Sequence, residues 1–403
     1  MHNDLEDSFC NAGFEFEVIA PTPTRGVSDV VRKQYKKFRY ELRYDGKMKI
    51  HRFSMSRERK NWMLRALRYI RVIFKQYRLG KKSQEVDVIF GVSTPPIQGL
   101  LCSKLAKKLS KKYKRKVNFV YNLQDIFPDS LVTTGLAKKD SLLWKIGRKV
   151  EDYTYKNADK IIVINESAKN NIMAKGVPEE KIVVVSNWID TTAIQPVPKK
   201  DNCLFEELGI LRDRFTVVYA GNFGKAQGAN VVLDAAERLK DNHDVQFVIF
   251  GGGSEFGSAK ERAMGLSNVW INGLLPQERV REVYSLGDVA IITCKKGVGN
   301  SGMPSKTWSI MACNTPIIAA FDKESDLAEV IEKANAGITV EPENVDALVC
   351  AILEMSHGES TTFVGGREYT AQNASKEVCT AKYIDVIRES CLDNRNKPNI
   401  SYE

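Results

Sequence analysis

Short apolar runs rich in valine and isoleucine alternate with amphipathic stretches along the whole chain, and the alternation starts afresh near its middle. Such a pattern limits the chain to parallel strands joined by helices, an α/β architecture built twice over. The strand candidates of the first half are 15–21, 48–53, 86–92, 116–123, 160–165 and 181–187. Those of the second half are 215–221, 245–253, 268–273, 288–293, 315–321 and 336–342. At 403 residues the chain exceeds one ordinary core and suits two domains of common size.

The expected division is a first doubly wound domain over 1–190, a linker at 191–202, a second domain over 203–375, and a helix and tail at 376–403 that cross back to the first. The linker is read from TTAIQPVPKKDN, with two prolines and two lysines between the units. A doubly wound domain normally opens with a buried strand and a glycine turn, yet residues 2–12 already read as helix. The first strand of the N-terminal domain is therefore expected to be missing here, either because it lies upstream of residue 1 or because the protein has lost an element that normally helps form the acceptor cleft.

The formal net charge of +10 hides an asymmetry. Residues 1–195 carry 38 Lys and Arg against 21 Asp and Glu, whereas the remainder carries 22 against 29. Most of the basic excess lies between 51 and 116, with 19 basic and three acidic side chains. A face of that kind suits phosphate-bearing partners such as anionic lipid, a polyprenyl phosphate or nucleic acid. The stretch 57–82 intersperses Trp62, Leu64, Leu67, Tyr69, Ile70, Ile73, Phe74 and Tyr77 with basic residues. It reads either as a helix lying at an anionic membrane surface or as one whose apolar residues pack on the core. A second basic helix is expected at 104–116.

No apolar run is long enough to span a bilayer, and MHNDLEDSF lacks the marks of a signal peptide. The eight cysteines are scattered without a C-x-x-C pair, and there are only four histidines. Neither a structural zinc site nor a disulfide framework is indicated. The expectation is a cytoplasmic protein with reduced thiols, peripheral on the inner face of the membrane.

Two glycine-bearing turns stand out. FTVVYAGNFGKAQGANVVLDAAERL (215–239) is a strand, a turn with Gly221, Gly224 and Gly228, and then a helix. Glycines there let backbone N–H groups approach an anion at a helix start, though such a turn is as often purely structural. Its spacing is not G-x-G-x-x-G, so a dinucleotide site is not indicated. In CKKGVGNSGMPSKTWSIMACNTPIIAA (294–320), Pro304 enters a helix from about Ser305, with Ser305 able to cap it and Lys306 adding a mobile charge. Two such starts fit a diphosphate. The alternative is that Lys306 is an ordinary surface lysine.

Between these clusters lie GGGSEF (251–256) and NVWINGLLPQERVREVYSLGDVAII (268–292), and AGITVEPENVDAL follows. In that order the motifs resemble the donor domain of glycosyltransferase family 4. The first half agrees through NLQDIFPDS, NADKIIVINES and KIVVVSNWID. Within the family, QDIFPDS, YAGNFGKAQG and GMPSK resemble transferases of bacterial surface polysaccharides, of the colanic-acid and O-antigen type. The resemblance implies the GT-B fold: two Rossmann-like domains facing a cleft. It also implies transfer of a hexosyl or N-acetylhexosaminyl unit with retention, from a nucleotide sugar, a UDP-sugar being favoured, to a polyprenyl-diphosphate-linked saccharide.

The implied donor contacts are Gly221, Asn222, Lys225, Gln227, Gly252, Gly273, Leu274, Ser301, Met303, Pro304, Ser305 and Ser309. The family's two glutamates fall at Ser301 and Ser309, and its Arg and Lys fall near Asn222 and Gln227. Lys225 and Lys306 remain as positive charge. The family's His-Asp pair reads Gln124-Asp125. The implied catalytic residues are Lys306, Asp125 and Asp129, with a structural carboxylate as the alternative for the two aspartates. The absence of an Asp-x-Asp pair implies that no metal is used, and no cofactor beyond the donor is expected. A nucleotide-sugar 2-epimerase shares the fold but needs proton-transferring groups, for which His243 and His357 are poorly placed. A nucleic-acid-binding protein is disfavoured because no recognised motif accompanies the basic runs.

Overall fold

The computed structural model describes residues 2–24, 27–56, 62–133, 137–299, 302–358 and 362–396. Two compact units divide it. One gathers the chain up to Ile164, Ala168–Val185 and everything from Thr380; the other gathers Asn165–Ser167 and Ser186–Cys379.

The first unit runs α1 (His2–Asn11), β1 (Phe16–Pro21), α2 (Asp29–Lys37), β2 (Tyr40–Arg43), β3 (Met48–Phe53), α3 (Trp62–Gly80), β4 (Val88–Val92), α4 (Gln98–Tyr113), β5 (Asn118–Leu123), α5 (Asp129–Thr133), α6 (Leu142–Asn157), β6 (Lys160–Val163), α7 (Glu166–Ala174) and β7 (Ile182–Val184). Strands β4-β5-β6-β7 form a parallel sheet in that order. Strands β1-β3-β2 form a separate one, in which β2 runs antiparallel to β3.

The gap between the two sheets falls between β1 and β4. A doubly wound sheet places its first strand at that switch. Among the described residues no strand fills it, and Phe9 of α1 instead sets its ring against both Phe16 of β1 (6.1 Å between centroids) and Phe90 of β4 (6.2 Å).

In α3 apolar residues lie nearly all round, and a helix of 3.6 residues per turn cannot bury them all. Arg68 and Val72 are buried, with the Arg68 guanidinium donating to Thr24 Oγ1. Leu67, Ile70 and Phe74 are exposed. Residues 57–61 and the Trp62 side chain lie outside the described residues. Among the described residues, no helix is long and apolar enough to cross a membrane.

The second unit runs α8 (Leu204–Leu208), β8 (Phe215–Asn222), α9 (Asn230–Arg238), β9 (Val245–Gly252), α10 (Phe256–Ala263), β10 (Val269–Gly273), α11 (Val280–Tyr284), β11 (Val289–Thr293), α12 (Lys306–Ala312), β12 (Ile317–Ala320), α13 (Asp326–Lys333), β13 (Gly337–Val340), α14 (Val345–Ser356) and α15 (Gly366–Asn373), and α16 (Lys376–Asn396) begins in it and continues in the first. Its six strands are parallel, in the order β10-β9-β8-β11-β12-β13. This is the doubly wound order, with the switch point between β8 and β11. Both sheet faces are covered, so the strands read as near-continuous apolar runs. Alternation along β8 sends Val218 and Ala220 to one apolar cluster and Val217 and Tyr219 to the other.

The last helix, α16, returns the chain to the first unit. Tyr383 is fully buried there, donates to Asn122 Oδ1 (3.2 Å) and sets its ring on Phe90. Asn118 Nδ2 donates to the Ser390 carbonyl.

Candidate active site

The carboxyl ends of β8, β9 and β10 and the first turn of α12 assemble one cluster in the second unit. Its centre is Lys306. The Nζ lies 4.2 Å from the centroid of the Tyr219 ring and 3.4 Å from the Ala220 carbonyl oxygen, to which it donates. A Cβ placed on Gly221 would come within 3.2 Å of that nitrogen, so the bare backbone of Gly221 is what admits the ammonium. Burial pushes the Lys306 ammonium down to about 7, because a desolvated charge is disfavoured. The side chain is therefore neither mobile nor an ordinary surface lysine. It is packed on an aromatic face that partly compensates for the lost water.

Asn222 and Gln227, at the positions of the family's Arg and Lys, face one another: Asn222 Nδ2 donates to Gln227 Oε1 at 3.3 Å. Gly253 closes over the same group. Its φ is +115°, and a Cβ there would meet Asn222 Oδ1 at 2.0 Å, so only glycine fits. Gly252 lies beside Leu274, whose side chain is exposed. Lys225 stands exposed in the same turn.

One local expectation is corrected. Ser305 does not cap α12 with its side chain: its backbone is already helical (φ −59°, ψ −25°), and a cap hydroxyl needs an extended backbone to reach back to the free N–H groups. Gly273, among the implied donor contacts, donates its N–H to the Asn272 carboxamide oxygen at 2.8 Å. Pro304 and Met303 are half-buried ahead of α12, Met303 packing against the core, and Ser309 is half-buried within the helix. Ser301 lies outside the described residues.

Tyr219, Gly253 and Asp322 join the site without having been singled out in the sequence. The Asp322 carboxylate, just past β12, accepts the N–H groups of Gly297 (3.0 Å) and Gly299 (2.8 Å) and so ties down the loop that leads to α12. Lys296 is held by Glu341 at 2.6 Å. Tyr219 stood only within the apolar run read as a strand, and nothing local pointed to Asp322.

In the first unit the two aspartates have different surroundings. Asp125 is exposed just beyond the carboxyl end of β5, where Ser93 Oγ accepts both its N–H (3.2 Å) and that of Gln124 (3.0 Å). Asp129 accepts from Lys175 Nζ (2.7 Å) and Asn171 Nδ2 (3.2 Å). Lys175 also bonds buried Glu151, whose carboxyl is raised by burial despite the lysine. Asp129 is thus built into an ion-pair network, while Asp125 faces outward.

Two doubly wound units, one of them with a lysine-centred cluster at its switch point, are the architecture of the GT-B fold. Solved structures share the fold. Sucrose-phosphate synthase from Thermosynechococcus elongatus matches with a TM-score of 0.68 at 16% identity, covering 96% of this chain and 91% of that one. Anabaena HepE in complex with UDP and glucose matches at 0.65 and 15%, covering 96% and 94%.

The family model for Glycosyltransferase Family 4 matches residues 4–193, and that for Glycosyl transferases group 1 matches 214–357. The two models together match most of the chain, which is a glycosyltransferase built of a family 4 domain and a group 1 domain. Among relatives, it is 26% identical over 343 residues to WbjE of Pseudomonas aeruginosa, named a probable glycosyltransferase, with 83% of each chain covered. It is also 26% identical over 315 residues to WcaI of Escherichia coli K12, whose name places it as a glycosyl transferase of colanic acid biosynthesis, with 77% of this chain and 76% of that one covered.

Proposed function

We propose that the chain moves a hexosyl or N-acetylhexosaminyl unit from a UDP-sugar to a polyprenyl-diphosphate-linked saccharide during assembly of a bacterial surface polysaccharide, with retention and without a metal ion or further cofactor. The observation that carries this reading is Lys306 Nζ, lodged against Gly221 at the switch point, where an open α/β sheet binds its ligand. A diphosphate placed there would meet a desolvated ammonium, and such a charge stabilises the negative charge that grows as the glycosidic bond breaks. The bond between the anomeric carbon and the diphosphate oxygen breaks, the acceptor hydroxyl bonds to that carbon from the same face, and its proton passes to the departing phosphate. Asp125 is assigned to the acceptor side.

The likeness to HepE, solved with UDP and with UDP-glucose, supports the donor class, and the name of WcaI supports the pathway. The basic excess of the first unit and the exposed Leu67, Ile70 and Phe74 support a cytoplasmic protein held peripherally on an anionic membrane.

The test is a thermal-shift screen of nucleoside diphosphates and their sugars, followed by transfer assays onto polyprenyl-diphosphate saccharides with and without EDTA. UDP or a UDP-sugar should stabilise the protein, and transfer should survive chelation. Loss of activity restored by magnesium or manganese would reject the metal-free mechanism, and failure of every uridine compound to bind would reject the donor.

A further inference from the structure

The amino end of α6 carries a surface that neither the donor site nor the acceptor loop uses. Residues 138–149 read KKDSLLWKIGRK. Ser141 starts the helix, its backbone extended and its Oγ accepting the Trp144 N–H at 3.4 Å. From there the helix turns Gly147, Glu151, Thr154 and Tyr155 inward. Leu142 (76% exposed), Leu143 (54%) and Ile146 (52%) are left outside. The exposed lysines 138, 139, 145 and 149 surround them.

One turn further in, Gly147 is seated against the segment that follows Asp125: a Cβ there would lie 2.7 Å from Pro128 and 2.9 Å from Phe127. The exposed leucines therefore stand beside the acceptor-side loop. They also belong to the helix layer that contains the apolar stripe of α3, since α3 packs on α4 and α4 on α6. The residues of α4 exposed between them include Lys104, Lys107 and Lys108.

We propose that the amino end of α6 is a second membrane contact, inserting Leu142, Leu143 and Ile146 into the interfacial layer of an anionic bilayer while the surrounding lysines engage its headgroups. The proposal rests on the membrane attachment inferred above and adds its orientation. With α3 alone the unit would rest on one helix and could pivot; with α6 added, the carboxyl ends of β4 and β5 and the loop holding Asp125 are set at the lipid surface from which the acceptor's sugar rises. Lipid is favoured as occupant because the patch pairs apolar area with a positive excess, four exposed lysines against the exposed Asp140. An interfacial segment of this make-up binds through apolar burial and headgroup attraction together.

The test compares full-length wild type with Leu142→Gln/Leu143→Gln and with Leu67→Gln/Phe74→Gln in sedimentation with phosphatidylcholine vesicles containing phosphatidylglycerol. All four substituted side chains are exposed, so thermal melts should match wild type. Glutamine removes apolar area without adding charge. Each double variant should lower the vesicle partition coefficient roughly tenfold, the scale of losing two interfacial leucines or their equivalent. An α6 variant that pellets like wild type while the α3 variant detaches would overturn the second contact and leave membrane attachment standing. Wild type that stays free of anionic vesicles at low salt would overturn both. Unchanged pelleting with an altered oligomer mass of the α6 variant would assign the patch to a second copy of the chain instead.

Discussion

Lys306 shows what a single residue contributes to this site and what it costs the fold. Burial lowers its ammonium from an ordinary lysine's 10.5 to about 7, so between those values the unfolded chain binds more protons than the native one. Stability therefore rises with pH across that window, and below about pH 7 the penalty is present in full. Lys306→Met should raise the thermal midpoint at pH 7, and the difference from wild type should shrink by pH 9.5 as the wild-type ammonium becomes neutral in the native state and increasingly so in the unfolded one. The same substitution should lower turnover roughly tenfold to a thousandfold, the scale of losing one electrostatic stabiliser of the transition state. Paired melts at the two pH values check the first part and a transfer assay the second. A variant no more stable than wild type at pH 7 would mean that the ammonium is better solvated than its position over Tyr219 implies.

At the scale of elements, the loop between β11 and α12 depends on a residue beyond the next strand. Asp322 holds the Gly297 and Gly299 N–H groups, and hydrogen bonds to a charged acceptor contribute on the order of 2 kcal/mol each. Asp322→Ala should release the loop and weaken UDP binding by roughly tenfold in titration calorimetry, with a smaller effect on turnover at saturating donor. Unchanged affinity would show that the loop does not shape the donor site. This is also where local signals end. Each of the twelve apolar runs contains a strand, because a β-strand buried on both faces must be apolar along its length. The thirteenth, β2, was not anticipated: YELR is short and mostly exposed on an edge, so it carries no apolar run. The Ser305 cap failed because composition at a helix start does not determine the backbone angles of the residue before it.

Across the whole molecule, the first unit is completed by the end of the chain. Tyr383 is fully buried there and reaches Asn122 across 261 positions of sequence. Tyr383→Ala should remove roughly 3–5 kcal/mol, the range for large aromatic truncations in a core. The loss should appear as an earlier unfolding step in urea, with limited proteolysis cutting first within residues 1–185. A single shifted transition for the entire chain would show instead that the two units unfold as one.

What the sequence determined by itself is what local periodicity can encode. Valine- and isoleucine-rich runs at strand length, amphipathic stretches between them and glycines at their junctions set the elements, the α/β class and, through motif order, the transferase family. The basic bias of the first half is likewise a sum over residues and needs no coordinates. The tertiary structure alone decided which chemistry those elements bring together. Lys306 lies against Ala220 across 86 positions of sequence, Asp322 captures a loop 25 positions away, and Leu142 and Leu143 are left outside while Tyr155 of the same helix is buried. Each outcome depends on how strands order themselves in a sheet and which helix face meets it. Such contacts are non-local, and no window of sequence short enough to show a period contains both partners.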